Sequence, residues 1–127
     1  MALNVLIVGE DGESTFASRL NRVLPPGSTV RFALSSYPQH EVFDLVIVDA
    51  TAVQKFVDTI NELRKMYPQA IFLGISLSLT WGRVRDAFRA GVRDYVSKSI
   101  EEAELRKLIH DLLRKDIDRA EDQAPVR

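Results

Sequence analysis

The chain has no cysteine, which excludes disulfides, thiol nucleophiles and zinc–thiolate centres. Charge of either sign is not in excess: 17 basic residues face 18 acidic ones, a formal net charge of −1. No global electrostatic attraction to nucleic acid or to an anionic membrane follows from such a balance. The apolar runs fall far short of the roughly 20 residues that a membrane-spanning helix needs. The opening MALNVLIVGE has no basic flank and no cleavage site of the signal-peptide kind, and it reads as a strand. No glycine-rich phosphate loop of the GxGxxG or GxxxxGK type follows any strand, and there is no internal repeat or low-complexity stretch. What remains is a cytoplasmic-type domain, with no expectation of nucleic-acid or membrane binding.

The 127 residues suffice for one domain with a real core. The stretch FDLVIVDAT, Phe43 to Thr51, organises it. Leu45, Val46, Ile47 and Val48 form a short run that is apolar on both faces, the pattern of a central parallel strand covered by helices on each side. It stops at Asp49, at the carboxyl end of the strand, the edge where open α/β sheets place ligands and chemistry. The plainer alternative is that Asp49 caps the following helix.

Leu3 to Val8 is a second buried strand, ending in the acidic, glycine-punctuated loop Gly9-Glu10-Asp11-Gly12-Glu13. A helix begins near Glu13 or Ser14, carries Phe16, Ala17, Leu20, Val23 and Leu24 on one face, and is closed by Pro25-Pro26-Gly27. Thr29 to Leu34 alternates and reads as a strand nearer the sheet edge. Ser35 to Glu41 is too short for a full helix and contains Pro38, so a shortened second helix of one turn or an irregular link is expected. After Asp49, residues 52–67 are predicted helical, with Val53, Phe56, Val57, Ile60, Leu63 and Met66-Tyr67 as the apolar stripe and Pro68 as the stop. Ala70 to Ile75 is a fourth strand, ending at Ser76. Thr80 is the expected N-cap of a helix with Trp81, Val84, Ala87, Phe88 and Ala90, and Gly91 is its stop. Val92 to Val96 is a fifth strand, followed by Ser97-Lys98-Ser99. The last helix starts near Ile100 and uses Leu105, Leu108, Ile109, Leu112 and Leu113, with Ser99 and Glu102 at capping-box spacing. The composition divides the chain into a domain over residues 1–115 and a polar helix end or tail over 116–127, which would also suit the start of a linker.

Five buried strands alternating with helices require a parallel sheet between two helical layers. Right-handed crossovers favour the doubly wound strand order 2-1-3-4-5. That order sets the loop after Val8 beside Asp49, with Ser76 and Lys98 on flanking strand ends. Carboxylates (Glu10, Asp11, Asp49), a hydroxyl (Ser76) and an ammonium (Lys98) then meet at one edge. Clustered carboxylates repel unless a hard cation is present, and Mg²⁺ suits oxygen donors. With Lys98 and Ser76 on further oxygens, this is a site for forming an aspartyl phosphate. Singly, each residue has an ordinary reading: Ser76 a small strand end, Lys98 a solvated lysine, Glu10 and Asp11 loop acids, Trp81 packing or a partner surface. Their joint placement carries the functional one.

The motifs LIVGED, LVIVDAT, FLGIS and FRAGVRDYVSK, with the closing amphipathic helix, resemble a response-regulator receiver domain over roughly Leu3 to Leu113. Such domains are the phosphoacceptor modules of two-component signalling, with a flavodoxin-like fold. The resemblance implies that Asp49 is the phosphoacceptor, Ser76 the switch hydroxyl, Lys98 the lysine that contacts the phosphoryl group, and Tyr95 the switch aromatic. It implies Mg²⁺ held by Glu10, Asp11, Asp49 and the backbone carbonyl of Thr51. It also implies a sensor histidine kinase or phosphotransfer protein as partner, a homodimer through the surface of the Trp81 helix, fifth strand and last helix, and no enzymatic activity of the domain's own. The sequence departs from the family at Gly9, where an acid is usual and whose absence weakens the metal site. It departs again in the loop after Asp49 and at Ser99, where a proline is usual. These departures suit an alternative: a degenerate receiver that is not phosphorylated and acts by constitutive dimerisation or partner binding.

Overall fold

The computed structural model describes residues 2–10, 12–53 and 55–122, with side chains to Arg114. The strands are β1 (Asn4–Val8), β2 (Thr29–Ala33), β3 (Leu45–Asp49), β4 (Ile71–Ser76) and β5 (Asp94–Ser97), and the helices are α1 (Thr15–Val23), α2 (Phe56–Met66), α3 (Trp81–Ala90) and α4 (Glu102–Asp122). All strand pairs are parallel and the order is β2-β1-β3-β4-β5, as expected from the alternation of strands and helices. β3 is buried at every position and β4 likewise, whereas β2, at the edge, alternates.

Strand periodicity splits the core into two. On one face Val5, Ile7, Leu45, Ile47, Leu73 and Ile75 pack against Phe16 and Leu20 of α1 and Leu105, Ile109 and Leu112 of α4. On the other, Leu6, Val8, Val46, Val48 and Phe72 pack against Ile60 and Leu63 of α2 and Ala87 and Ala90 of α3. At roughly 1.5–3 kcal/mol per fully buried Val, Leu, Ile or Phe side chain, these two layers dominate the stability. Polar ties fasten the helices. Arg19 Nη1 donates to the carbonyls of Lys98 and Ile100 (both 3.3 Å), and Arg22 pairs with Glu102. Arg64 of α2 donates to the Ala90 carbonyl at 3.0 Å, satisfying a C-terminal carbonyl of α3.

The ends of the elements correct several expectations. No helical turn occurs over residues 34–43, so the expected shortened helix is absent and the irregular link takes its place. The link is held from outside: Asn4 Nδ2 donates to the Val42 carbonyl at 2.6 Å, Tyr67 Oη donates to the Pro38 carbonyl, and Arg31 pairs with Glu41 at 3.2 Å. α2 starts at Phe56, not Ala52. The amides of Ala52 and Val53 both turn back onto the Asp49 carbonyl (3.2 and 3.1 Å), and this turn delays the helix. Val57, expected on the apolar stripe, is exposed, while Ile60 and Leu63 are buried. Ser14 caps α1, accepting from the Ala17 amide at 3.0 Å. Thr80 occupies the N-cap of α3 without a side-chain hydrogen bond, and Gly91 ends that helix with a left-handed φ of 112°. The Ser99–Glu102 capping box does not form: α4 starts at Glu102, which turns to Arg22, and the Ser99 amide donates to Ser97 Oγ. α4 runs unbroken through the compositional boundary at 115/116. Among the described residues no helix is long and apolar enough to cross a membrane.

Candidate functional site

β1 and β3 are neighbours, but their helices lie on opposite faces of the sheet, so a crevice opens where the chain leaves both strands. The register puts Asp49, the last residue of β3, opposite Ile75, and Ser76 opposite Ser97. The Lys98 amide donates to the Ser76 carbonyl at 2.9 Å and so fixes where the lysine side chain departs.

Asp49 is 1% exposed, an ionisable group buried at the crevice floor. Its Oδ1 accepts from the Thr51 amide at 2.9 Å, and its Oδ2 lies 2.7 Å from Lys98 Nζ. The carboxylate therefore closes a tight local turn and an ion pair; with α2 starting seven residues on, it is not that helix's cap. Lys98 also pairs with Glu10 Oε1, so one ammonium bridges two buried carboxylates. Burial alone pushes the Lys98 ammonium down, but its hydrogen bonds and charge contacts with Asp49 and Glu10 outweigh that, and its pKa is raised.

Ser76 is fully buried and joins the cluster through Thr51: the two hydroxyl oxygens are 3.3 Å apart. Thr51 Oγ1 accepts from the Leu77 amide at 2.9 Å, while Ser76 Oγ donates to the Ser78 carbonyl at 2.9 Å. To donate to a ligand, Ser76 must leave Ser78. The side chain of Thr51 was not singled out by sequence reasoning, which gave this residue only a backbone role. A hydroxyl two residues past a strand-end carboxylate is the signal available for it.

Tyr95 is 5% exposed, its ring turned into the core edge-on to Phe56, with centroids 5.8 Å apart. Gly74 makes the seat: a Cβ there would lie 2.5 Å from Tyr95 Cδ2. The glycine inside FLGIS is the sequence signal for that close approach. The Tyr95 hydroxyl has no hydrogen-bond partner among the described residues.

Gly9 accounts for the missing acid. Its φ is +95°, and a Cβ there would stand 3.2 Å from the Cβ atoms of both Asp49 and Ala52. A side chain at this position would be strained and crowded. Glu10 is the buried carboxylate of the loop, while Asp11 lies outside the described residues. Among the described residues no group of three His, Cys, Asp or Glu side chains is placed to hold a metal. The donor chemistry nevertheless fits a hard cation: Glu10 and Asp49 are carboxylates, and Glu10 Oε2 is buried without a hydrogen-bond partner among the described residues.

No family model matches the chain, and no curated protein matches it. Solved structures do. A response regulator from Thermotoga maritima is similar with a TM-score of 0.73 at 19% identity, over 90% of this chain and 99% of that one. A response regulator protein from Burkholderia pseudomallei, solved with a phosphorylated aspartic acid, calcium ion and citrate, gives 0.68 at 21%, over 98% and 77%. A protein from Burkholderia thailandensis named for pilus assembly gives 0.66 at 20%, over 88% and 98%. These identities are too low to carry activity across, but the architecture agrees throughout: the chain has the fold of the response-regulator receiver domains.

Proposed function

We propose that this chain is a phosphoacceptor receiver domain that takes a phosphoryl group onto Asp49. The observation that carries the reading is the buried Asp49 carboxylate, ion-paired at 2.7 Å to Lys98 from the end of β5, at the sheet's switch point. An Asp49 oxygen attacks the phosphorus of a phosphohistidine on a sensor kinase or phosphotransfer protein. The P–N bond breaks as the P–O bond forms, and the imidazole leaves with a proton. Lys98 is placed to follow the negative charge onto a phosphoryl oxygen, and Ser76 to donate to another once it releases the Ser78 carbonyl. Glu10, Asp49 and the Thr51 carbonyl are the groups that would hold Mg²⁺, which when bound offsets the charge gathering on the phosphoryl oxygens. The phosphorylated aspartic acid and calcium ion of the Burkholderia pseudomallei protein support both parts by analogy of fold.

Ser76 and Tyr95 would then bias the surface of α3, β5 and α4 between two states. That surface bears Trp81, 76% exposed, and mixed charge, which suits a switchable homodimer. In this reading the domain is a cytoplasmic signalling module and not an enzyme in its own right.

A second reading, a receiver that is no longer phosphorylated and works by constitutive dimerisation or partner binding, draws on Gly9, on the altered loop after Asp49 and on Ser99 where a proline is usual. Acetyl phosphate and BeF₃⁻, each with and without Mg²⁺, separate the two. Phosphoacceptance predicts a Mg²⁺-dependent gain of one phosphoryl group in intact mass and a change in Trp81 fluorescence, both lost in Asp49→Asn. No response at millimolar Mg²⁺ selects the second reading.

A further inference from the structure

A serine hydroxyl has one proton to donate and two lone pairs that accept. Ser76 gives its proton to the Ser78 carbonyl at 2.9 Å. One lone pair takes the Ser78 amide at 3.2 Å, and the other faces Thr51 Oγ1 at 3.3 Å. With the Ser76 proton already placed, Thr51 is the donor in that last contact. Thr51 Oγ1 in turn accepts from the Leu77 amide at 2.9 Å. A continuous circuit results, from the Leu77 N–H through the hydroxyls of Thr51 and Ser76 to the Ser78 carbonyl.

Both ends of the circuit are fixed. The Thr51 amide donates to Asp49 Oδ1 at 2.9 Å, and the Ala50 amide donates to the Ile75 carbonyl at 2.8 Å. The Thr51 side chain therefore departs from backbone tied to both β3 and β4, and its branched Cβ restricts the rotamers open to the hydroxyl. On the other side the Lys98 amide holds the Ser76 carbonyl at 2.9 Å. Ser76 thus changes partners by rotating about χ1, not by moving its strand. It is wholly buried, so a hydroxyl turned off its present partners needs a new one there.

We propose that the Thr51 hydroxyl is a positioning group, a latch that holds the Ser76 hydroxyl on the Ser78 carbonyl and sets how readily a phosphoryl oxygen draws it away. The inference deepens the phosphoacceptor reading and rests on it for the ligand that releases Ser76. Release breaks the bond to Ser78 and takes from Thr51 the acceptor of its proton, so the latch favours the retracted rotamer. One residue then touches both parts of the site, with its amide on the Asp49 carboxylate and its hydroxyl on the switch serine. Changes to the Thr51 side chain leave its backbone carbonyl in place for Mg²⁺.

Two variants of the full chain test this: Thr51→Val keeps the branched shape without the hydroxyl, and Thr51→Ser keeps the hydroxyl. In the ligand-free protein, three-bond NMR couplings should report one Ser76 χ1 rotamer in wild type and Thr51→Ser, and averaging in Thr51→Val. With Mg²⁺ present, Thr51→Val should bind BeF₃⁻ about two- to tenfold more tightly, the loss of one hydrogen bond from the unliganded state. Thr51→Ser should bind it like wild type. Ser76→Ala removes the group on which the latch acts, so adding Thr51→Val to it should leave BeF₃⁻ affinity unchanged, whereas a general loosening of the loop acts in both backgrounds. Weaker or unchanged binding in Thr51→Val, equal tightening in Thr51→Ser, or the same effect without the Ser76 hydroxyl overturns the proposal. If no form of the chain binds BeF₃⁻, the phosphoacceptor reading fails and the rotamers alone decide on the latch. A Ser76 already averaged in wild type, or equally fixed in Thr51→Val, overturns it.

Discussion

Lys98 and Asp49, 49 residues apart in the chain, meet with Nζ 2.7 Å from Oδ2 at the bottom of the crevice, and the same ammonium holds Glu10. One partly buried cation thus serves two carboxylates that are almost fully buried. Removing it leaves two uncompensated negative charges side by side.

Lys98→Met should therefore destabilise the fold by about 3 kcal/mol near neutral pH, the scale for breaking a buried ion pair from one side. Urea unfolding reads this directly. A deficit under about half a kcal/mol would mean that the cluster is solvated.

Alkaline stability should also depend on this residue. The folded pKa of Lys98 lies above its ordinary 10.5, because the partnership with Asp49 and Glu10 outweighs the effect of burial. The folded state thus binds the proton more tightly, so the stabilisation is complete below the unfolded value and is lost as pH rises through the folded one. Tyr37 and Tyr67, whose phenols are raised first by burial, add loss in the same direction. The contribution of Lys98 is the difference between wild type and Lys98→Met in melting temperature across the alkaline range. The two curves should converge as pH climbs past about 10.5.

Gly9→Asp would restore an acid where receiver domains usually carry one, and it should not come free. With φ at +95° and Asp49 and Ala52 crowding the new Cβ, a loss of about 1–3 kcal/mol is expected. Chemical denaturation of Gly9→Ala and Gly9→Asp separates backbone strain, common to both, from the added charge beside Glu10. If either variant matched wild type, the left-handed conformation would not be required.

Gly74→Ala probes the seat of Tyr95. The added methyl meets the ring at 2.5 Å, so the tyrosine must move or the strand must shift, at about 1–3 kcal/mol. In a cycle with Tyr95→Leu the cost should fall markedly, since the two residues are in contact. Additive losses would mean that the glycine is needed for a reason other than the ring.

Much of this molecule was legible from the chain alone, for a physical reason. Runs such as LVIV and IFLGI carry no polar side chain because both faces of their strands are covered, and burial of that kind is a property of local composition. Alternation of such runs with amphipathic helices, under right-handed crossovers, leaves one favoured order, and that order brings Glu10, Asp49, Ser76 and Lys98 to one edge. Tertiary structure decided the rest. The pairing of Lys98 with both carboxylates, the rerouting of Glu102 from Ser99 to Arg22, and the placement of Tyr95 over Gly74 each join residues brought together only by sheet register and helix packing. The late start of α2 belongs with them: residues 52–55 carry nothing that forbids a helix. The amides of Ala52 and Val53, folded back onto the Asp49 carbonyl, hold the chain in a turn there.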